Sequence, residues 1–390
     1  MGNVQAGAVV GGSIAGFRVS RFSFARDRVI GDSQVRSAVV NLGVLELETA
    51  DGLIGMGFFQ DLFHPLPDED ELDRVFAEVV LPGIRGVHPA SLVHRLTRPR
   101  GGNNRLPPFN FAEAVEQAVW DLYGKGLGLP LWRVLGATSP EVPAYASGLD
   151  YHLSDRRFQT FFKAAKGKGY RAFKIKVGHP DAAWDLRRLG LLREVIGEGD
   201  LVMVDANEAW TPKEAIRRLH LYRDAGHAIH WLEDPCLRND FEGLRQVAEA
   251  LPWTHLNTGE YLDLAGKRRL IEARAVDILN VHGRPGQVMQ AGWLAAEAGL
   301  EVSLGNTPME LGVHMAAALP ECRWIEYSFH NYAGLLAEPV RIENGIAHAP
   351  DRPGHGLTLS AEARARFHSP RVGDRHDRGP PPPIDLSEVD

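Results

Sequence analysis

Hydrophobic and polar residues alternate along the first part of the chain, which predicts a β-hairpin. The alternation covers residues 39–47 and 53–59, and Asp51-Gly52 lies between the two runs. An earlier run, residues 14–24, predicts a first strand. Apolar residues at helical spacing follow at 70–80 and 111–127. The first 140 residues are therefore predicted to form a small α+β domain.

From residue 142 onward, short β-rich runs alternate with amphipathic helical stretches. The predicted strands end at residues 176, 205, 233, 260, 282, 306 and 326, and residues 145–148 supply a further strand before them. Each interval is about the length of one βα unit, and eight such units close into a (β/α)₈-type barrel. An open doubly wound sheet would need a Gly-rich phosphate loop after its first strand, and the sequence has none there.

Composition and charge narrow the class of protein. The chain has 390 residues, of which 44 % are hydrophobic and 24 % charged, and its formal net charge is −7. No part of the chain is persistently basic, which argues against nucleic acid or an anionic membrane as a partner. The apolar stretch at residues 6–17 is too short to span a bilayer. Two cysteines cannot build a disulfide framework, so we expect a cytoplasmic protein.

Polar side chains follow the predicted barrel strands, where barrel enzymes carry their catalytic groups. Asp205, Glu233 and Glu260 end three consecutive strands, so their carboxylates are expected to converge at one side of the barrel mouth. Three converging carboxylates would repel one another unless a cation lay between them. An all-oxygen ligand set with positions left for water or substrate is what Mg²⁺ prefers.

Two lysines on one predicted strand are candidates for a general base. Lys174 and Lys176 have the same parity, so both are expected to face the barrel interior. A neighbouring ammonium group and a divalent cation would disfavour the charged form and lower the pKa of the lysine.

These residues resemble the motifs of the enolase superfamily and, within it, of the mandelate racemase branch. The motifs that carry the resemblance are Lys174-Ile175-Lys176, Val204-Asp205-Ala206-Asn207, Trp231-Leu232-Glu233-Asp234-Pro235, Thr258-Gly259-Glu260 and Trp324-Ile325-Glu326. The resemblance extends over nearly the full length, since residues 116–122 resemble the last helix of the family's capping domain and 351–356 its C-terminal return. It implies a modified (β/α)₇β barrel with an α+β N-terminal capping domain.

The resemblance also implies a first chemical step. The substrate carboxylate would bind Mg²⁺ held by the three carboxylates already named, and Lys176 would remove the proton on the α-carbon. Lys174 would stabilise the carboxylate, and Glu326 would act as a hydrogen-bonding electrophile on the opposite side. Asn207 would support Asp205 or the metal's outer ligands.

The sequence departs from the branch at its second acid/base. The branch usually has a histidine at the end of the seventh strand, paired with an aspartate at the end of the sixth. Asn306 and His282 stand at those two positions. Asparagine cannot exchange a proton with a carbon acid. His282 is either a lone acid/base across the substrate from Lys176 or a neutral hydrogen-bonding wall of the pocket.

This departure favours elimination over racemisation, because racemisation normally needs a base on both faces of the α-carbon. We expect dehydration of an aldonate or aldarate to a 2-keto-3-deoxy acid, with Lys176 as base and His282 as the acid for the departing hydroxide. The alternative is a racemase, epimerase or cycloisomerase acting on another carboxylate. A third hypothesis is a non-catalytic relative that keeps the metal site; retention of the whole set of lysines and carboxylates weighs against it.

Substrate contacts are expected from segments that close over the barrel. Arg26 and Arg28 are candidates to pair with a distal carboxylate or a polyol, and Asp150 and Tyr151 to bind hydroxyl groups. The partner is therefore a small-molecule carboxylate. The resemblance suggests a homo-oligomer, a dimer or an octamer.

The expected domain boundaries follow from the same patterns. Residues 1–140 would form the capping domain, completed by about 335–375, and residues 141–334 the catalytic barrel. Residues 376–390, with a run of four prolines followed by acidic residues, are predicted to be a disordered tail or a strap that contacts another subunit.

Overall fold

An antiparallel sheet in the order β1-β2-β3 organises the N-terminal domain in the computed structural model, which describes residues 11–61, 64–93 and 111–386. The strands are β1 (Ile14–Gly31), β2 (Arg36–Thr49) and β3 (Ile54–Gln60). The predicted turn joins β2 to β3, and Gly52 there has a φ of 87°, a conformation that favours glycine. The predicted hairpin is confirmed, and β1 continues past its predicted end at residue 24 because it pairs with β2 as far as Gly31.

Helix α3 covers the sheet. The helices of this domain are α1 (Glu69–Val75), α2 (Pro89–Leu92), α3 (Phe111–Leu127) and α4 (Leu131–Val134). The predicted helix at 70–80 is only partly α-helical, because residues 76–80 form a π-helical turn. Gln117 Oε1 accepts a hydrogen bond from the Phe58 N–H at 2.7 Å, and Asp121 Oδ2 accepts one from the Met56 N–H at 2.9 Å. Polar side chains of α3 thus satisfy the free edge of β3.

Glycine at position 57 lets α3 approach β3 closely. A Cβ atom at Gly57 would lie 1.8 Å from the Ala114 carbonyl oxygen, so the helix would have to move. We expect Gly57→Ala to lower the free energy of unfolding by about 1–3 kcal/mol, measured by denaturant titration. Gly190→Ala is the matched control, since a Cβ there meets nothing within 4 Å and alanine favours a helix. Equal unfolding midpoints for Gly57→Ala and wild type would contradict this explanation.

Eight parallel strands between residues 141 and 327 form a closed barrel. They are β4 (Glu141–Ser147), β5 (Ala172–Lys176), β6 (Leu201–Asp205), β7 (Trp231–Glu233), β8 (His255–Thr258), β9 (Ile278–Val281), β10 (Glu301–Leu304) and β11 (Cys322–Tyr327). Each strand pairs with the next, and β11 pairs with β4 to close the barrel. The predicted barrel is confirmed, and every predicted strand end lies within two residues of the observed one.

Seven helices surround this barrel, one in each connection between its strands. They are α5 (Asp155–Gly167), α6 (Ala182–Arg193), α7 (Pro212–Asp224), α8 (Phe241–Ala250), α9 (Leu264–Glu272), α10 (Pro285–Ala298) and α11 (Val313–Ala318). The barrel interior below the strand ends is filled by an apolar cluster that includes Tyr145, Met203 and Trp231. The Trp231 indole N–H donates to Glu233 Oε2 at 3.1 Å, so this cluster also supports a carboxylate at the barrel mouth.

The C-terminal segment contacts both domains. Strands β12 (Arg341–Glu343) and β13 (Ile346–His348) form a hairpin that pairs antiparallel with the start of β4. Helix α12 (Ala361–Phe367) lies near β1, and the Ser23 N–H donates to Ser369 Oγ at 3.2 Å. The segment therefore joins the sheet domain to the barrel.

The prediction of a disordered tail is wrong for residues 376–386. Ile384 and Leu386 are buried, and the Asn331 side-chain amide donates to the Pro380 carbonyl at 2.5 Å. Two apolar anchors after the prolines hold the segment against the protein. Residues 387–390 lie outside the described part of the chain.

A search of the described helices finds none with the length and apolar character needed to cross a bilayer.

Candidate active site

A small cavity lies at the carboxyl end of the barrel strands, beneath residues 30–37 of the capping domain. Its volume is about 70 Å³, and its wall includes both lysines of β5 together with Asp205, Glu260 and Glu326. The two largest of the other clefts, of about 550 and 630 Å³, are lined by residues of β1 or β2 and of the segment 372–386. Their described walls contain no lysine. The chemistry therefore identifies the smaller cavity as the candidate site.

Residues 31–35 close this cavity from above. The Gly31 N–H donates to the Leu149 carbonyl at 3.2 Å, and the Gln34 side chain donates to the Asn207 carbonyl. His152 Nε2 contacts the Val35 carbonyl at 3.0 Å. Ligand pockets usually have volumes of about 300–1,000 Å³. A sugar acid would therefore need the segment 31–35 to move away before it could enter.

Lys174 is the centre of a buried ion-pair cluster. Its Nζ lies 2.7 Å from Glu233 Oε1, 3.2 Å from Glu326 Oε1 and 3.5 Å from Asp205 Oδ2. Burial disfavours the ammonium form, but these carboxylates hold the pKa of Lys174 well above its usual value. Lys174 is therefore a permanent positive charge at the site.

Lys176 forms part of the cavity wall, as predicted, but its electrostatic environment differs from the prediction. Its Nζ donates to Asp205 Oδ2 at 2.5 Å and to Asn207 Oδ1 at 2.8 Å. Burial lowers the pKa of Lys176, but the Asp205 carboxylate more than offsets this, so the pKa is raised rather than lowered. The expectation of a lowered pKa assumed that a cation held Asp205; in the structure that carboxylate pairs with the lysine.

The predicted metal ligands come together at the barrel mouth, with lysine between them. As the side chains stand, no three acidic, histidine or cysteine residues in the described ranges are grouped to hold a metal ion. The Lys174 ammonium group lies between Asp205 and Glu233. Burial raises the pKa of Glu233 well above its usual value, and burial together with the Glu326 carboxylate raises that of Glu260 to about 7. These crowded, all-oxygen donors fit a hard divalent cation, which would have to displace the lysine contacts.

Glu326 lies across the cavity and is held by Asn306. The Asn306 backbone N–H and side-chain amide both donate to Glu326 Oε2, at 3.0 and 3.3 Å. Burial raises the pKa of Glu326, but the charges of Lys174 and Lys176 lower it by a larger amount. The pKa of Glu326 therefore lies below its usual range. Asn306 stands where the branch usually has an acid/base, and here it orients the carboxylate of Glu326.

His282 does not form part of the cavity wall in the structure. Its ring lies beside Tyr261, with centroids 6.5 Å apart. Both interpretations of His282 from the sequence placed it against the substrate. Tyr261 forms part of the wall on this side, and both interpretations of His282 stay predictions.

Arg26 contacts the cavity wall from behind. Its Nε donates to Ser37 Oγ at 3.3 Å, and its Nη1 lies 3.3 Å from His330 Nδ1. Ser37 and His330 both form part of the wall, whereas Arg26 does not. In the closed cavity Arg26 therefore contacts the wall residues, and direct binding of substrate by Arg26 stays a prediction.

Arg28 is a structural residue, contrary to its prediction as a substrate ligand. Its guanidinium donates to three backbone carbonyls at 3.1–3.3 Å, those of residues 148, 328 and 329. It thus connects β1 to the loops that follow β4 and β11.

Asp150 and Tyr151 also lie outside the cavity wall. Asp150 is buried, and its Oδ1 accepts a hydrogen bond from the Lys176 backbone N–H at 3.2 Å. The Tyr151 ring packs on Trp184, with centroids 4.8 Å apart. Leu149, with a left-handed φ of 47°, turns the chain at this point, and it is Leu149 that lines the cavity.

His330 is a wall residue that the sequence analysis missed. It is buried, stacks on Tyr332 with ring centroids 5.1 Å apart, and follows the strand-end Glu326 by four residues. The position of His330 just after a barrel strand could have identified it from the sequence, because functional residues are concentrated there.

Comparisons with known proteins agree with the fold and identify the family. The family model described as "Enolase C-terminal domain-like" matches residues 158–363. The chain is 34 % identical to a 3,6-anhydro-alpha-L-galactonate cycloisomerase of Streptomyces coelicolor, over 65 % of this chain and 71 % of the relative. It is 33 % identical to an L-talarate/galactarate dehydratase of Salmonella typhimurium, over 86 % of this chain and 85 % of the relative.

Solved structures show the same architecture. A presumed mandelate racemase from Mesorhizobium loti superposes with a TM-score of 0.90 at 52 % identity, covering 95 % of this chain and 99 % of that one. An L-talarate dehydratase from Polaromonas sp. JS666, complexed with Mg and L-glucarate, superposes with a TM-score of 0.77 at 28 % identity, covering 92 % and 98 %.

Proposed function

The chain belongs to the enolase C-terminal domain-like family, and we propose that it is a Mg²⁺-dependent enzyme that removes the proton α to a carboxylate. The proposed overall reaction is dehydration of a sugar acid, an aldonate or aldarate, to a 2-keto-3-deoxy acid. The observation that carries the proposal is Lys176, whose Nζ lies in the cavity wall against Asp205 and Asn207. No other described lysine except Lys174 lines this cavity.

Asp205, Glu233 and Glu260 are the proposed ligands of Mg²⁺. When bound, Mg²⁺ supplies electrostatic stabilisation for the charge that develops on the substrate carboxylate. The L-talarate dehydratase from Polaromonas sp. JS666, with its bound Mg, supports this choice of ion. The Trp231 indole N–H and the Asn280 side-chain amide donate to Glu233 and would hold it in place.

Lys176 is the proposed base. Its Nζ must release the Asp205 carboxylate and lose a proton to solvent before it can accept one from carbon, and Asp205 would favour both changes by turning to Mg²⁺ as a ligand. Lys174 keeps its positive charge and stabilises the substrate carboxylate. Glu326, oriented by Asn306, faces the same cavity from β11.

The second half of the reaction needs a proton for the departing hydroxyl group. Lys176 holds the α-proton after the first step, and we assign it the return of that proton to the 3-hydroxyl as the C–O bond breaks, so that water leaves. Racemisation would need another base on the opposite face. Asn306 at that position cannot provide one, and its backbone N–H and its side-chain amide both bind Glu326.

The alternative is a cycloisomerase, a racemase or an epimerase. Its support is the 34 % identity to the 3,6-anhydro-alpha-L-galactonate cycloisomerase of Streptomyces coelicolor. A cycloisomerase also needs only one base next to a carboxylate, so the same cavity could serve it.

Proton NMR in D₂O with Mg²⁺ tests the proposal. A panel of aldonates, aldarates and simple α-hydroxy acids is followed for loss of the α-proton signal and for new 2-keto-3-deoxy signals. Both changes with one sugar acid are the expected result. Loss of the α-proton with formation of an isomer would support the alternative, and no exchange with any compound would contradict α-proton abstraction.

A further inference from the structure

We propose that His330 donates a hydrogen bond from Nε2 to a substrate oxygen beyond C3, and that Arg26 is the positioning residue that sets the His330 tautomer. The inference deepens the proposed function and rests on it, because it assigns a contact to the same substrate. It names the substrate class as carboxylates that carry an oxygen acceptor at the end remote from the reacting carbon.

The contact with Arg26 determines which nitrogen of His330 carries the proton. Arg26 Nη1 lies 3.3 Å from His330 Nδ1, and a guanidinium group can only donate hydrogen bonds. Nδ1 must therefore be the acceptor, which places the proton of the neutral ring on Nε2. Burial and the charges of Arg26 and Arg28 lower the pKa of His330 well below its usual value, so the ring is neutral.

The Nε2–H group of His330 has no hydrogen-bond partner among the residues that the structure describes. His330 is only 4 % exposed, so water does not readily satisfy this donor. A buried donor without a partner destabilises the protein until a ligand satisfies it. Phe329 and Asn331, on either side, have left-handed φ angles of 53° and 71°. Such strained turns are concentrated at functional sites, which suits a ring held ready for a ligand.

The barrel topology places the loop of His330 across the barrel from the strand of Glu233, a proposed metal ligand. His330 follows β11, and β7, which carries Glu233, is four strands away in the closed barrel of eight. Lys176 on β5 lies between them. A substrate whose carboxylate is bound near Glu233 and whose α-carbon is next to Lys176 would therefore extend its remote end toward His330.

Two substrates of different length separate this role from a structural one. Glycerate has the 2- and 3-hydroxyl groups needed for elimination and no oxygen beyond C3, whereas galactarate has three further oxygen-bearing carbons. With galactarate, or the six-carbon acid that the NMR panel identifies, we expect His330→Leu to lower kcat/KM for α-proton exchange by about 10–100-fold, mostly through KM. With glycerate we expect no change.

His330→Gln and His227→Leu are the matched variants. A glutamine amide can place a donor near the position of Nε2, so we expect His330→Gln to recover most of the rate with the six-carbon acid. His227 is a histidine in the connection before β7, at the opposite end of the barrel, and its replacement should leave both rates unchanged. Recovery by glutamine would show that the loss in His330→Leu is not a folding defect.

The role of Arg26 is tested by placing Arg26→Met in the wild-type protein and in the His330→Gln variant. Arg26→Met should lower the rate with the six-carbon acid when His330 is present, and should have little effect in the His330→Gln background, where no tautomer needs to be set. Equal losses with both substrates in His330→Leu, or equal effects of Arg26→Met in both backgrounds, would overturn this inference while the proposed function stands. If wild type exchanges neither substrate nor any compound of the panel, the proposed function fails and this inference with it.

Discussion

Replacement of Lys176 with alanine is expected to lower the rate of α-proton exchange by about 10²–10⁴-fold, the usual contribution of a positioned general base. The physical reason is that the other lysine of the cavity wall cannot take its place, because Lys174 is held charged by Glu233 and Glu326. The measurement is the decay of the α-proton NMR signal in D₂O at saturating Mg²⁺, with the substrate that the panel identifies.

Lys163→Ala provides the matched control, because Lys163 is exposed on α5 and lies outside the cavity. Thermal unfolding of each variant separates a lost base from a lost fold. Lys176→Ala leaves Asp205 its hydrogen bond from the Asn207 N–H at 2.9 Å, so the carboxylate keeps a partner. Exchange at the wild-type rate in folded Lys176→Ala would show that another group is the base.

The barrel and its polar strand ends were predictable because each strand carries a regular signal. Phe173, Ile175 and Val177 are buried and mark β5, and the lysines between them necessarily face the interior. Asp205 and Glu233 likewise end buried runs, so the period-2 pattern and the βα spacing placed them together. Pairing of these carboxylates with lysine was not predictable, because it depends on distances between strands rather than on spacing along one of them.

Residues in the loops after the strands were predicted poorly, because a few backbone angles decide which side chain faces the cavity. Leu149 has a left-handed φ, and the wall contains Leu149 rather than Asp150. The residues on both sides of His330 also have left-handed φ angles, and His330 is part of the wall. A period of two or 3.6 residues carries no information about such turns.

The C-terminal segment shows a second kind of error. Its proline-rich composition was given more weight in the prediction than its two apolar residues. The proline run predicts disorder, but Ile384 and Leu386 follow it and are buried. Prolines lose little conformational freedom on folding, so a short segment with two such anchors can be ordered.

Addition of Mg²⁺ is expected to raise the melting temperature of the wild-type protein, and Glu233→Gln is expected to abolish that rise. A ligand that binds only the folded state stabilises it by about 2.7 kcal/mol at one hundred times its Kd. Glu233 is a proposed ligand whose carboxylate also pairs with Lys174 at 2.7 Å, and glutamine preserves its shape while removing its charge. The measurement is thermal unfolding with Mg²⁺ and with EDTA, and it does not depend on knowing the substrate.

Glu326→Gln makes this test specific. Glu326 is buried and also pairs with Lys174, at 3.2 Å, so its replacement removes a comparable charge from the same ammonium group. Because Glu326 is not among the proposed metal ligands, this variant should keep the Mg²⁺-dependent rise. Loss of the Mg²⁺-dependent rise in melting temperature in both variants would mean that Mg²⁺ binding depends on the net charge of the cluster rather than on three defined ligands. Absence of the rise in the wild-type protein would contradict the metal site itself.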